Sequence, residues 1–414
     1  MSSLLTHDNL RHFEDLPGIL QICIGTSTKP GLIAYFNDDT LAMINMFAKT
    51  CKKFLQYHPL RWYYFKVVLQ RKYDTNFDAR IVDLPEKNIR DEDLQTIGEA
   101  LKATNTLTSF DLYNNNITDV QTIGELLNTN NTLTYLFLHS NNITDVQRIG
   151  EALKTNNTLT TLGLHNNNIT DVQSIGEALK TNKTLTTLGL SNNNITDVQR
   201  IAEGLKTNNT LTYLSLENNN ITDVRSIGEG LKTNNTLTSL ILYNNNITHI
   251  QSIGAGLKTN NTLTTLELHN NNITDVQSIG EGLKTNKTLT TLNLHNNNIT
   301  DVQSIGEALK TNKTLTTLGL SKNNITDVQS IGDILKTNNT LRLLNLGNNN
   351  ITDDGGIQSI IDGLKTNNTL WYLHLPNNQL SDNMKSQLEA IQQYKRDGSN
   401  GYQQVEVEWM YIVT

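Results

Sequence analysis

The segment from Leu159 to Asn182, LTTLGLHNNNITDVQSIGEALKTN, returns almost unchanged at Leu185, Leu211, Leu237, Leu263, Leu289 and Leu315. Looser copies begin at Leu107, Leu133 and Leu341, and the step between copies is 26 residues. A fixed period of this length belongs to solenoids, in which each unit is one supersecondary element stacked on the next. It settles the architecture before composition is considered.

Within a copy, the first half reads L-x-x-L-x-L-x-x-N-x-I, as in Leu159, Leu162, Leu164, Asn167 and Ile169. Leu162 and Leu164 alternate with Thr161, Gly163 and His165, which predicts a short strand with one face inward. The second half predicts a helix. Thr170 and Gln173 have the spacing of a capping box, and Val172, Ile175 and Leu179 share one helical face. Lys180 in the last turn favours the helix dipole, and Asn182 suits a left-handed stop. One copy buries too little apolar surface to offset the ordering of its own backbone, so stability must come from stacking. The ninth-position asparagines (Asn115, Asn141, Asn167, onward to Asn349 and Asn378) carry donors and an acceptor together. They are expected to satisfy turn backbone groups that have no ladder partner.

These residues resemble the leucine-rich repeat family, in the helix-bearing ribonuclease-inhibitor-like class, over about residues 81–380. The resemblance implies an α/β horseshoe, with parallel strands on the concave face, helices on the convex face and partners held by strand positions.

Net charge is −7 over 414 residues, which names no partner, and a duplex-binding solenoid would be basic. The two cysteines, Cys23 and Cys51, both precede the repeats, so disulfide-bonded caps are not expected. The first residues lack a basic region followed by an apolar core, and no apolar run is long enough to span a bilayer. A cytoplasmic or nuclear location is the expectation, without membrane or nucleic-acid partners. The recurring Asn-x-Thr triplets then read as a by-product of the repeat.

Residues 1–80 have another composition, with Trp62, Tyr63, Tyr64 and Phe65 close together. Leu41, Ile44, Ala48, Cys51 and Leu55 predict one apolar face of a helix over 41–57. Thr40 to Tyr73 carries seven Lys/Arg and no acid, which fits the solvated side of amphipathic helices. The segment resembles the F-box in Leu16-Pro17, in Asp39-Thr40-Leu41, in Cys51-Lys52-Lys53-Phe54 and in Leu60-Arg61-Trp62. It departs in a longer interval after Leu16-Pro17 and in lacking the acidic residue usual there. The resemblance implies docking of a Skp-type adaptor through Leu16, Pro17, Leu41, Ile44, Cys51, Phe54 and Trp62. The other reading is a helical cap that seals the first repeat.

The expected organisation is an F-box-like module or cap over 1–78, about twelve repeats over 79–380, and a capping helix and tail over 381–414. The first repeat is degenerate, with Val82, Leu84 and Ile89 at strand positions but Lys87 in place of the asparagine. Asp353-Asp354-Gly355-Gly356 lengthens the last helix entry. Asp382 to Tyr394 predicts a closing helix, and the alternation from Val405 to Trp409 a small covering strand or an exposed peptide.

Outward strand positions escape the repeat consensus, and large groups there need a reason. Tyr113, Tyr135 and Phe137 form one expected aromatic patch, and Tyr213, Ile241 and Tyr243 a second. His139 and His165 share a column, as do His269 and His295, with Glu217 and Glu267 the acids nearby. Duplication alone explains such columns, so neither metal nor cofactor is expected. No phosphate loop or nucleophile–base pair is found, which predicts a binding protein rather than an enzyme. The function expected from both resemblances is that of a substrate receptor of a cullin ubiquitin ligase. The other readings are a binding scaffold or an inhibitor with no ubiquitin link.

Overall fold

Each repeat contributes one three-residue strand and one short helix, and the strands line up in chain order. A computed structural model describes residues 80–102, 106–396 and 406–408. Thirteen strands form one parallel sheet: β1 (Ile81–Asp83), β2 (Ser109–Asp111), β3 (Tyr135–Phe137), β4 (Thr161–Gly163), β5 (Thr187–Gly189), β6 (Tyr213–Ser215), β7 (Ser239–Ile241), β8 (Thr265–Glu267), β9 (Thr291–Asn293), β10 (Thr317–Gly319), β11 (Leu343–Asn345), β12 (Tyr372–His374) and β13 (Glu406–Glu408). Equivalent residues face each other, as Leu162 faces Leu188 and Leu188 faces Leu214. The expected helix over 41–57, with Leu16, Pro17, Leu41, Ile44, Cys51, Phe54 and Trp62, lies outside the described residues.

From β1 to β12, the middle residue of each strand and the next leucine are buried, as in Leu162 and Leu164. Ile169, Val172, Ile175 and Leu179 close the same core from the other side. The helix of this copy spans only Gln173–Leu179. Its start is not the expected capping box. Asp171 Oδ1 accepts the Gln173 N–H at 2.7 Å, and Thr170 takes no part. The same Asp-to-helix bond recurs from Asp119 to Gln121 and from Asp327 to Gln329.

Three ladders of side chains tie repeats together. Asn167 Nδ2 donates to Leu138 O and Leu164 O, both at 3.0 Å, and its Oδ1 accepts the Ile143 N–H at 3.0 Å. One amide thereby satisfies backbone groups of two repeats, the role expected for this column. The second ladder is formed by Asn182, which does not sit in the left-handed region. Its Nδ2 donates to Leu153 O and Asn156 O, while Oδ1 accepts from Thr184 N–H and Leu185 N–H. In the third, threonine hydroxyls reach back one repeat, as Thr186 Oγ1 donates to Thr160 O at 3.0 Å.

The left-handed residue in each repeat is the first of the asparagine run: Asn166, Asn192 and Asn218 have φ between 50° and 55°. Asparagine tolerates this region better than most residues. Ser140 and Lys322 take the same conformation at φ 56° and 50°. At the array's end, the lengthened helix entry forms a wide turn, Asp353–Ile357, in which Gly356 has φ 80°.

Parallel strands pack about 4.8 Å apart, whereas helix axes ordinarily need about 8–10 Å, so the array bends with its strands inside. Glycine moderates the bend. A Cβ on Gly176 would lie 2.3 Å from the Arg200 carbonyl carbon in the next helix. Helices therefore approach more closely than ordinary side chains allow. The C-terminal helix spans Asp382–Arg396 and buries Leu388, and β13 pairs in parallel with β12.

Candidate functional site

The concave face consists of three columns. Tyr135, Thr161, Thr187 and Tyr213 stand in the first. Phe137, Gly163, Gly189 and Ser215 stand in the second. Tyr113, His139, His165, Ser191, Glu217, Tyr243, His269 and His295 stand in the third. Ile81, Tyr135 and Tyr213, all in the first column, are the exposed large apolar side chains here, at 50%, 48% and 38%.

The third column carries two ring stacks. Tyr113 lies on His139 with centroids 4.6 Å apart, and His139 lies on His165 at 4.6 Å. Phe137 meets His139 edge-on at 5.9 Å. The expected first patch is thus rearranged: Tyr113 and Phe137 both meet His139, and Tyr135 stands apart in the first column. In the second stack Tyr243 lies flat on His269 at 4.1 Å, and His269 faces His295 at 6.4 Å. Ile241 is 9% exposed and belongs with the core, so it is no surface anchor. The stacks need room beside them. A Cβ on Gly189 would lie 2.7 Å from His165 Nδ1, so glycine in the second column makes the shelf on which His165 rests.

Polar contacts fix the rest. Glu267 Oε2 lies 3.2 Å from His269 Nδ1, and His295 Nδ1 lies 2.6 Å from Ser321 Oγ. Ser215 Oγ donates to Glu217 Oε2 at 3.0 Å. Burial, with the Glu217 carboxylate alongside, pushes the Tyr243 phenol up to about 12. Burial also raises Tyr213. Asp111 on β2 is raised by burial and by Asp83, its opposite residue on β1. Among the described residues no group of three or more His, Cys, Asp or Glu is placed to hold a metal, and no helix is long and apolar enough to cross a membrane.

Burial holds His139 below the ordinary imidazole range. It does the same for His165, with neighbouring His139 adding to the effect, and for His295, with Lys322 and His269 adding. His139 Nδ1 is buried with no hydrogen-bond partner. The unfolded chain takes up these protons near pH 6.5, before the folded chain does, so stability is complete above about 6.5 and falls below it. Melting temperature is expected to drop between about pH 7 and 5, and to drop less in a His139→Gln, His165→Gln double variant. Equal slopes for both proteins would contradict this.

Trp371, 55% exposed, takes the place that threonine holds in the hydroxyl ladder. The signal for it in the sequence is an aromatic at a position that is threonine in most other copies.

Comparison with known proteins agrees with this geometry. A family model described as "Leucine Rich repeats (2 copies)" matches residues 261–307. Another, described as "Leucine Rich repeat", matches 181–198, 207–224, 311–328 and 337–357. Among solved structures, an internalin from Listeria monocytogenes is 23% identical, with 80% of this chain and 85% of that chain covered and a TM-score of 0.59. The APL1 leucine-rich repeat domain is 18% identical, covering 73% and 68% with a TM-score of 0.50. These two likenesses are of fold. No curated protein matches the sequence.

Proposed function

We propose that this protein, a solenoid of leucine-rich repeats, holds a protein partner on its concave face while residues 1–78 dock a Skp-type adaptor. It would thereby act as a substrate receptor of a cullin ubiquitin ligase in the cytoplasm or nucleus. The observation that carries the binding role is the departure of the strand columns from the consensus. Core and ladder positions repeat, whereas the three concave columns carry Tyr113, Tyr135, Phe137, Tyr213 and Tyr243 at places where other copies have Thr, Ser or Gly. Aromatic groups of this kind are favoured as interface anchors. The adaptor role rests on the motif residues in the sequence, Leu16-Pro17 through Trp62.

A pull-down of full-length protein and of protein lacking residues 1–75 against purified Skp-type adaptor tests the adaptor role. Capture by the full-length chain alone is expected. If neither protein is captured and the shortened one melts earlier, residues 1–78 are a cap, and the protein is a binding scaffold.

A further inference from the structure

The concave face is chemically one-sided. Among the described residues, none of its three columns from β1 to β12 contains Lys or Arg. They do contain Asp83, Asp111, Glu217 and Glu267. The basic residues lie elsewhere, as in the pairs Lys284–Glu281 and Lys310–Glu307 of the helix face, just before a strand as Arg80 and Arg342, or just past the third column as Lys322. Two features of the acids point outward. Glu217 accepts a hydrogen bond from Ser215 and is flanked by Tyr213 and Tyr243, yet forms no ion pair among the described residues. A carboxylate bordered by phenol oxygens suits a cation, which gains from the charge and from charge-assisted hydrogen bonds. At the other end, Asp83 and Asp111 face each other in register across β1 and β2. Like charges placed so are destabilising until a cation lies between them.

We propose that the partner presents an extended basic segment, with one Arg or Lys received by Glu217 between Tyr213 and Tyr243 and another by the Asp83–Asp111 pair. This rests on the concave-face reading above and names the partner's chemistry. From β2 to β6 is four strand spacings, about 19 Å, or about six residues of extended peptide. Of the three intervening strands, β3 presents Tyr135 and Phe137, while Thr161, Gly163, Thr187 and Gly189 on β4 and β5 make a low, uncharged floor that a peptide backbone can cross.

Full-length protein titrated with fluorescein-labelled nona-arginine and nona-glutamate tests this. Nona-arginine is expected to bind and to weaken steeply with added salt, while nona-glutamate does not bind. Glu217→Gln and Asp111→Asn are each expected to weaken nona-arginine by about tenfold, and Glu307→Gln on the helix face to leave it unchanged. Absence of binding, or equal weakening by Glu307→Gln, overturns the inference. If photo-crosslinking from position 187 still captures a protein in that case, the concave face remains a binding surface and only the basic segment is wrong.

Discussion

Asn219→Ala is expected to lower the free energy of unfolding by about 4 kcal/mol, since each orphaned buried backbone group costs about 1–3 kcal/mol. Asn219 Nδ2 donates to Leu190 O at 3.0 Å and to Leu216 O and Glu217 O at 3.1 Å, and Oδ1 accepts the Ile195 N–H at 2.9 Å. Alanine removes partners from two repeats at once. Asn219→Asp is expected to be worse, because a carboxylate would face three carbonyl oxygens with no donor. Asn220, its exposed neighbour, is the control, and Asn220→Ala should stay within about 0.5 kcal/mol of the parent. Urea titrations of the three variants decide the matter. A loss at Asn219 no larger than at Asn220 would mean that the ladder is incidental.

Gly228→Val is expected to cost about 3 kcal/mol or more, the upper end for overpacking a closed interior. Replacing a helical glycine ordinarily gains about 1 kcal/mol through lost backbone freedom in the unfolded chain, so the sign of the result separates two accounts. Here the clash wins. A Cβ on Gly228 would lie 2.2 Å from the Ser252 carbonyl carbon and 2.3 Å from its oxygen. The chain contains a milder version of this change, because Ala202 occupies the same place one repeat earlier. Its helix, Gln199–Leu205, packs less closely on Arg225–Leu231 than the helix before it packs on Gln199–Leu205. Thermal melts of Gly228→Val that match or exceed the parent would show that helix spacing does not limit the array.

Legibility in the sequence followed the range of the interactions. Period, strand positions and the buried faces of Leu162, Leu164, Ile175 and Leu179 are set by local alternation, and they were readable. Asn167 is legible as structural because its column repeats from Asn115 to Asn378. The ladders of Asn182 and Thr186 are not legible locally, because the carbonyls that Asn182 Nδ2 and Thr186 Oγ1 reach lie 26 to 29 residues away and come near only once repeats stack. The local rule for Asn182, a left-handed stop, lost to that long-range bonding. At the helix start, Asp171 defeated the Thr170–Gln173 pattern because the helix begins at Gln173, two residues later than that pattern requires. On the concave face the residue types were legible, but their contacts were not. Ring stacking of Tyr113 on His139 and of Tyr243 on His269 depends on how far each side chain leans along the column. The glycine that lets His165 lean belongs to the next repeat.

The most direct test of the concave-face account places a photo-crosslinking residue at Thr187, on the floor between the two ring stacks, and in a second protein at Lys310 on the helix face. Full-length proteins are irradiated in extract, and adducts are identified by mass spectrometry. A discrete protein adduct from position 187 that is absent from position 310 is the predicted result. Adducts from position 310 alone, or the same adducts from both, would contradict the claim that this solenoid binds through its strand columns.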